Sequence, residues 1–259
     1  WHFLRKGYLM IRLGVAYALS NFIAFGTESL FRAFILRHPE AADLPLLTGT
    51  EAVGIYGTGI TLVITYSRLI FMSMDAEYYP RLSALTHRLT LQNEAVNRQI
   101  DVLVLLISPF LLAFALFLPH LIPLLYTDAF LPVVPMVMGA LSALFFKAIV
   151  TPIAYLSLAH ARSRLYLAQE LTYAVVSLLL LVLSYLYFGF SGAGWGLTLS
   201  YLVYLLAVYF NCRRIFSFSF ERATLSHSLF QFLLVFPALL AMSFLESWPR
   251  VAVGVAFLL

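Results

Sequence analysis

Charge is the property that this sequence has least of. Asp, Glu, Lys and Arg together make up 11% of its 259 residues, whereas a soluble domain carries about 25%. Hydrophobic residues account for 62% of the chain, more than a water-soluble fold can hide from solvent. We therefore expect the lipid bilayer to be the solvent of this protein, which excludes the soluble classes of enzyme and binding module.

The features that support catalysis or cofactor binding are also missing. Cys212 is the single cysteine, so an intramolecular disulfide is excluded. The glycine-rich stretch 189–196 has the wrong spacing for a dinucleotide loop, and no Walker loop occurs. The loop histidines, which show no metal-ligand spacing, are His87, His120 and His160. We expect no enzyme activity, no metal and no cofactor.

Seven apolar runs are long enough to cross a bilayer, which requires about 20 helical residues. They do not alternate as the strands of a membrane barrel do, so we predict helices. The predicted spans are Leu9–Leu36, Ala52–Met74, Val102–Leu118, Val133–Ala159, Leu165–Phe188, Gly192–Asn211 and Leu225–Leu245. An eighth span begins at Val251 and is cut short, and the chain starts at Trp1 rather than Met. We therefore expect sequence to be missing at both ends.

Basic residues are distributed unevenly over the loops between these runs. Eleven of the sixteen Lys and Arg residues fall on one set of alternating loops, and only Arg37 and Arg250 fall on the other. Because basic loops resist translocation, the first set is predicted to be cytoplasmic. The pI near 9.2 then reflects orientation and anionic headgroups, so nucleic acid is not an expected partner.

Three cations remain inside the predicted spans: Arg32, Arg68 and Lys147. Charged residues at this depth are costly and face a bundle interior or a wet cavity. Counted along each helix, Arg32 lies nearer the outer surface, Lys147 near the midplane and Arg68 nearer the inner surface. Such a series suits an anionic group crossing the membrane, for example a phosphate or pyrophosphate. The structural alternative is that Arg32 and Arg68 reach the headgroups instead.

These cations belong to polar stripes at helical spacing. Glu28 precedes Arg32 by four residues, the favoured order for an ion pair, so Glu28 is expected to be a counter-ion or a coupling site. Three helices each carry a polar stripe, which predicts one shared hydrophilic cavity. The other residues expected to line this cavity are Tyr17, Asn21, Thr61, Thr65, Thr151 and Tyr155. Glu170 is expected to cap the inner end of the fifth span.

Four short motifs, in order along the chain, resemble those of polysaccharide flippases. Val53–Gly57 resembles their "vGxY" helix entry, and Asp75–Ser83 resembles their cytoplasmic "yxPrLs" loop. Ala154–Arg162 is similar to their "aYlxlAxgr" turn, and Phe188–Gly194 is similar to their "fGlxGag" turn. Each motif is weak alone, but their order and spacing are fairly specific.

The resemblance implies the multidrug/oligosaccharidyl-lipid/polysaccharide exporter superfamily, an all-α class of polytopic, two-lobe membrane transporters. Residues 1–214 would form the C-terminal six-helix lobe, and residues 215–259 would add further transmembrane helices. The implied function is to flip undecaprenyl-pyrophosphate-linked oligosaccharides across the bacterial inner membrane by alternating access, for O-antigen, capsule or exopolysaccharide synthesis. The implied partners are that lipid-linked substrate, membrane lipids, an N-terminal lobe and the polysaccharide polymerase machinery.

Three alternatives remain open. A drug/cation antiporter of the same superfamily would share the fold, but a cation-rich cavity disfavours cationic cargo. A membrane-embedded O-antigen polymerase or ligase would need a large periplasmic loop, whereas the predicted outer loops are short. In a structural membrane subunit, the buried charges would simply pair with one another.

Overall fold

The computed structural model describes residues 2–42, 44 and 47–244. Within them the chain forms six α-helices and no strand, which confirms the predicted all-α class. The α-helices are α1 (His2–Arg37), α2 (Gly49–Ala84), α3 (Leu89–Leu125), α4 (Val134–Ala159), α5 (Ser163–Phe216) and α6 (Arg222–Phe244). Short 3-10 helices at Pro39–Ala42 and Asp128–Val133 precede α2 and α4.

The ends and bends of these helices have local causes. Helix α2 begins at a capping box, in which the Thr48 side chain accepts from the Glu51 amide and the Glu51 carboxylate accepts from the Thr48 amide. Helix α5 bends at Gly189, whose φ of 62° and ψ of −146° are strained for any residue with a side chain. The bend divides α5 into a first arm (163–188) and a second arm (190–216), in agreement with the predicted turn between the fifth and sixth spans.

Five helices in the described part are long and apolar enough to cross a membrane, namely α2 to α6, the last as far as Met242. They contain the second to sixth predicted spans and most of the seventh, so the chain is a multi-pass membrane protein. Helix α1 contains the first predicted span but is not among the five. The eighth predicted span, from Val251, lies outside the described residues, and the division at residue 214 stays a prediction.

Between α2 and α3 the structure has less loop than the sequence predicts. The second and third predicted spans leave residues 75–101 between them as a connection on the predicted cytoplasmic side. Instead α2 continues to Ala84 and α3 already begins at Leu89. Both helices therefore project beyond the apolar runs on the predicted cytoplasmic side.

Helix α4 lies at the centre of the bundle. It packs most extensively against α5 and also contacts α2, α3 and α6. Gly139 of α4 lies against Gly194 in the second arm of α5, where an added Cβ on Gly139 would meet the Gly194 carbonyl carbon at 2.8 Å. Beside this contact, the Thr198 hydroxyl donates to the Gly139 carbonyl at 2.7 Å. Small residues thus allow the two backbones to approach closely, as is common between membrane helices.

Helices α2 and α4 run parallel, with a nearly constant offset in residue number. Gly59 lies against Met136, and farther along Phe71 lies under the Lys147 ammonium. Toward the end of α2, Tyr78 stacks on Tyr155 with ring centroids 6.2 Å apart. Parallel packing means that both helices cross the membrane in the same direction, as the alternation of basic loops predicts.

Candidate functional site

The outer part of the site is an ion pair between consecutive turns of α1. Arg32 Nε donates to Glu28 Oε1 at 2.9 Å, and the Tyr56 hydroxyl of α2 donates to Glu28 Oε2 at 3.1 Å. Gly57 leaves room for the guanidinium, since an added Cβ there would lie 3.3 Å from Arg32 Nη1. Arg32 is therefore a cation already paired with an acid, as expected for the charges of a structural membrane subunit.

Arg68 faces the space between α1, α2 and α4, which we call the cleft. Eleven residues make three helical turns plus about 20°, so Arg68 shares one side of α2 with Gly57, which faces Arg32, and with Tyr79. The Arg68 side chain is exposed. In the part of the chain that the structure describes, no carboxylate lies within 4 Å of it. Thr61 and Thr65 are exposed on the same side of α2.

Helix α4 opens to this space along a single polar line. Lys147, Thr151 and Tyr155 are each partly exposed, whereas every other residue from Met136 to Leu158 is buried. The Thr151 hydroxyl donates to the Lys147 carbonyl at 2.8 Å, so its own donor is satisfied within the helix. The partly exposed line coincides with the predicted polar stripe of the fourth span.

Lys147 is held by an aromatic ring rather than by an acid. Its Nζ lies 4.7 Å from the centroid of the Phe71 ring, close enough for a cation–π contact. Phe71 is itself buried. No carboxylate among the described residues comes within 4 Å of Lys147, although the Glu170 carboxylate of α5 is near enough to attract its charge.

The relative depths of the three cations differ from the expected series. Phe71, which contacts Lys147, is one turn from Arg68 on α2, so Arg68 and Lys147 lie about 5 Å apart along the helix axis. Arg32 faces Gly57, about three turns or 16 Å farther toward the outer end. The site therefore has two levels, an outer ion pair and an inner pair of cations that make no ion pair within 4 Å among the described residues, rather than three separate steps.

Below the inner cations lies a pocket of about 330 Å³. It brings together two residues predicted to line the cavity, Tyr17 of α1 and Tyr155 of α4. The remaining residues that line it are Leu13, Gly14, Tyr79 and Leu158. Asn21, one turn farther along α1, is exposed and donates to the Tyr17 carbonyl at 3.0 Å. None of the three predicted cations is among the residues that line this pocket.

The sequence matches no family model and no curated protein. Among solved structures the chain is similar to the lipid II flippase MurJ in its inward closed conformation, with a TM-score of 0.58. The two chains share 13% sequence identity, over 82% of this chain and 46% of that one.

The chain has a MurJ-like membrane transporter fold. At this level of identity the likeness shows the fold alone. The chain spans about half the length of the structure it matches, so the likeness leaves the division into lobes a prediction.

A feature of this MurJ-like fold that the sequence analysis missed is a cluster of a carboxylate and three tyrosines. Tyr204 in the second arm of α5 donates to Glu170 Oε1 in the first arm at 2.7 Å. The Tyr173 ring packs against those of Tyr201 and Tyr204, with centroids 4.8 and 5.0 Å apart. Glu170 therefore connects the two arms rather than capping a helix end, which corrects the expectation from sequence. The signal available in the sequence was the helical spacing of Glu170, Tyr173 and Ser177 in an otherwise apolar arm.

The arrangement as a whole is suited to holding an anion. Arg68 presents a planar set of donors that matches phosphate oxygens, and Lys147 adds a compact charge at nearly the same depth. No group of three His, Cys, Asp or Glu residues that could hold a metal ion occurs within the described residues.

Proposed function

We propose that this chain is the C-terminal part of a flippase that moves undecaprenyl-pyrophosphate-linked oligosaccharide repeat units across the bacterial inner membrane. In this proposal Arg68 and Lys147 bind the pyrophosphate, and the prenyl tail stays in lipid. The product supplies O-antigen, capsule or exopolysaccharide synthesis. The observation that carries the proposal is that Arg68 and Lys147 lie at nearly one depth, with no carboxylate of the described residues within 4 Å of either.

A pyrophosphate suits this pair because neither cation forms an ion pair within 4 Å in the described part of the chain. Placing two cations at one depth in a membrane is costly unless an anion joins them. A cargo that brings two negative phosphates supplies the missing counter-charge, and it leaves when the surroundings of the cations change. A cationic drug would instead be repelled by Arg68 and Lys147, which disfavours the drug/cation antiporter.

The outer ion pair has a different role in this proposal. We assign Glu28 the part of a counter-ion, because its carboxylate is already bonded to Arg32 and Tyr56. Arg32 then keeps the outer end of the cleft polar without attracting the cargo as strongly as the inner pair does. Alternating access arises as an N-terminal lobe rocks against this one, and the polymerase machinery receives the product.

The test uses the full-length protein in a strain that depends on it for surface polysaccharide. Arg68→Ala and Lys147→Ala are expected to lower surface polysaccharide at least tenfold while protein level stays unchanged, and lipid-linked repeat units should accumulate. Arg164→Ala, which removes an exposed arginine outside the cleft, is the matched control and should behave as wild type. Normal polysaccharide in both cleft variants would refute the proposal. Altered drug resistance in place of a polysaccharide defect would favour the antiporter.

A further inference from the structure

A second recess lies on the other side of α2. This α2–α3 groove has a volume of about 420 Å³. The residues that line it are Ile70, Glu77, Tyr78 and Arg81 of α2, and Arg98, Gln99, Val102, Leu103 and Leu106 of α3. At 100° per residue, Arg81 points about 140° away from Arg68 around α2. The groove is therefore separate from the cleft between α1, α2 and α4.

Two arginines from different helices dominate the charge of the α2–α3 groove. Arg81 and Arg98 are both exposed, and no carboxylate in the described part of the chain lies within 4 Å of either. Each is preceded four residues earlier by a glutamate, Glu77 and Glu94, in the order that favours an ion pair. Neither pair forms, so two guanidinium groups meet one lining carboxylate, Glu77, and the groove has a net positive charge.

The polar mouth of the groove continues into an apolar wall. Val102 and Leu106 follow Arg98 by one and two turns, about 6 and 12 Å along α3, and their side chains are 45% and 55% exposed. On α2 the wall is Ile70, within the candidate membrane span, whereas Arg81 lies beyond the end of that span at Met72. The charged end of the groove thus lies at the predicted cytoplasmic boundary of the membrane, and its apolar end lies within the membrane.

We propose that the α2–α3 groove binds one anionic phospholipid of the cytoplasmic leaflet. The lipid phosphate lies between Arg81 and Arg98, where Gln99 offers a further donor, and an acyl chain lies along Val102 and Leu106. The groove runs from charged and amide side chains to an apolar wall, as a phospholipid runs from its phosphate to its acyl chains. A zwitterionic lipid would bring its own cation to a positively charged mouth, and a free phosphate would leave the apolar wall unused. The proposal does not depend on the cargo assigned to the cleft.

The test measures lipid binding to the purified full-length protein in detergent by native mass spectrometry. Phosphatidylglycerol, phosphatidylcholine and inorganic phosphate are each titrated over the same range of concentrations. Each arginine near a membrane surface strengthens anionic lipid binding about fivefold. The double variant Arg81→Gln/Arg98→Gln should therefore bind phosphatidylglycerol at least tenfold more weakly than wild type. Arg81→Lys/Arg98→Lys should recover most of the affinity, because the charge is retained.

The matched control removes two exposed arginines of the same predicted side from outside the groove. Arg88→Gln/Arg164→Gln changes the net charge by the same amount and should bind phosphatidylglycerol as wild type does. If this control loses as much affinity for phosphatidylglycerol as the groove variant does, the lipid is attracted only to positive charge in general, and the proposal is overturned. Equal binding of phosphatidylglycerol and phosphatidylcholine by wild type would also overturn it. If inorganic phosphate competes fully with the lipid, the groove is an anion site rather than a lipid site.

Discussion

The hydroxyl of Tyr56 donates a hydrogen bond of 3.1 Å to the carboxylate of Glu28, which connects α2 to the ion pair on α1. Tyr56 is 1% exposed, so water cannot replace this donor easily. Tyr56→Phe is expected to lower stability by about 1–3 kcal/mol, because a bond to a charged acceptor is lost. Thermal unfolding of the purified protein measures the effect as a lower Tm. Tyr187→Phe, at a ring 77% exposed, is the control and should leave the Tm unchanged; equal Tm values for Tyr56→Phe and wild type would contradict the prediction.

The proposed function requires the charge of Lys147 rather than its shape. Lys147→Arg keeps a cation that can still lie over the Phe71 ring, and we expect it to retain most surface polysaccharide. Lys147→Met keeps a similar length without the charge, and we expect at least a tenfold loss. Complementation in the same strain compares the two at matched protein level. If the Met variant complements as well as wild type, the charge has no role.

The close approach of α4 and α5 makes Gly194 intolerant of a side chain. An added Cβ would collide with the backbone carbonyl oxygen of Met136, and overpacking of this kind typically costs about 1–3 kcal/mol. Gly194→Ala should therefore reduce the yield of folded protein and its Tm. Gly54→Ala is the matched change in α2, where nothing lies within 4 Å of the added atom, and it should be neutral or slightly stabilising. Equal yields and equal Tm values for the two variants would contradict the prediction that Gly194 tolerates no side chain.

His160, in the short connection between α4 and α5, gives the protein a pH dependence that can be measured. Burial of the ring, followed by the charges of Arg162 and His87, lowers its pKa from the ordinary value of 6.5. The unfolded chain then takes up a proton before the folded chain does, so stability is present above about pH 6.5 and is lost as the pH falls below it. Tm measured from pH 7.5 to 5 should fall less steeply in His160→Gln than in wild type, and identical slopes would exclude this role.

Most of the fold could be predicted because run length and helical spacing are properties of each segment alone. The fourth predicted span, Val133–Ala159, differs from α4 by one residue. The turn between the arms of α5 could be placed because Gly189 lies between two apolar runs. The polar stripe of α4 could be named because residues four apart share a helix face.

The parts of the site that could not be predicted from the sequence depend on contacts between segments. The level of Arg68 beside Lys147 follows only from the contact between Phe71 and Lys147. The carboxylate of Glu170 finds its donor 34 residues away on the other arm of α5. Spacing within one helix cannot show which neighbour supplies a partner, so the roles of Tyr56, Phe71 and Tyr204 needed the structure.

The enclosure of α4 has a mechanical consequence. Since its neighbours cover α4 from Met136 to Leu158 except along one line, any rotation or sliding of α4 would tear apolar surface away from the core. Lys147 therefore lies on a helix that we expect to stay fixed relative to the core. In the proposed transport cycle, the movement that admits cargo to Lys147 and later releases it is therefore expected from α1, which packs far less against α4 than α2 does.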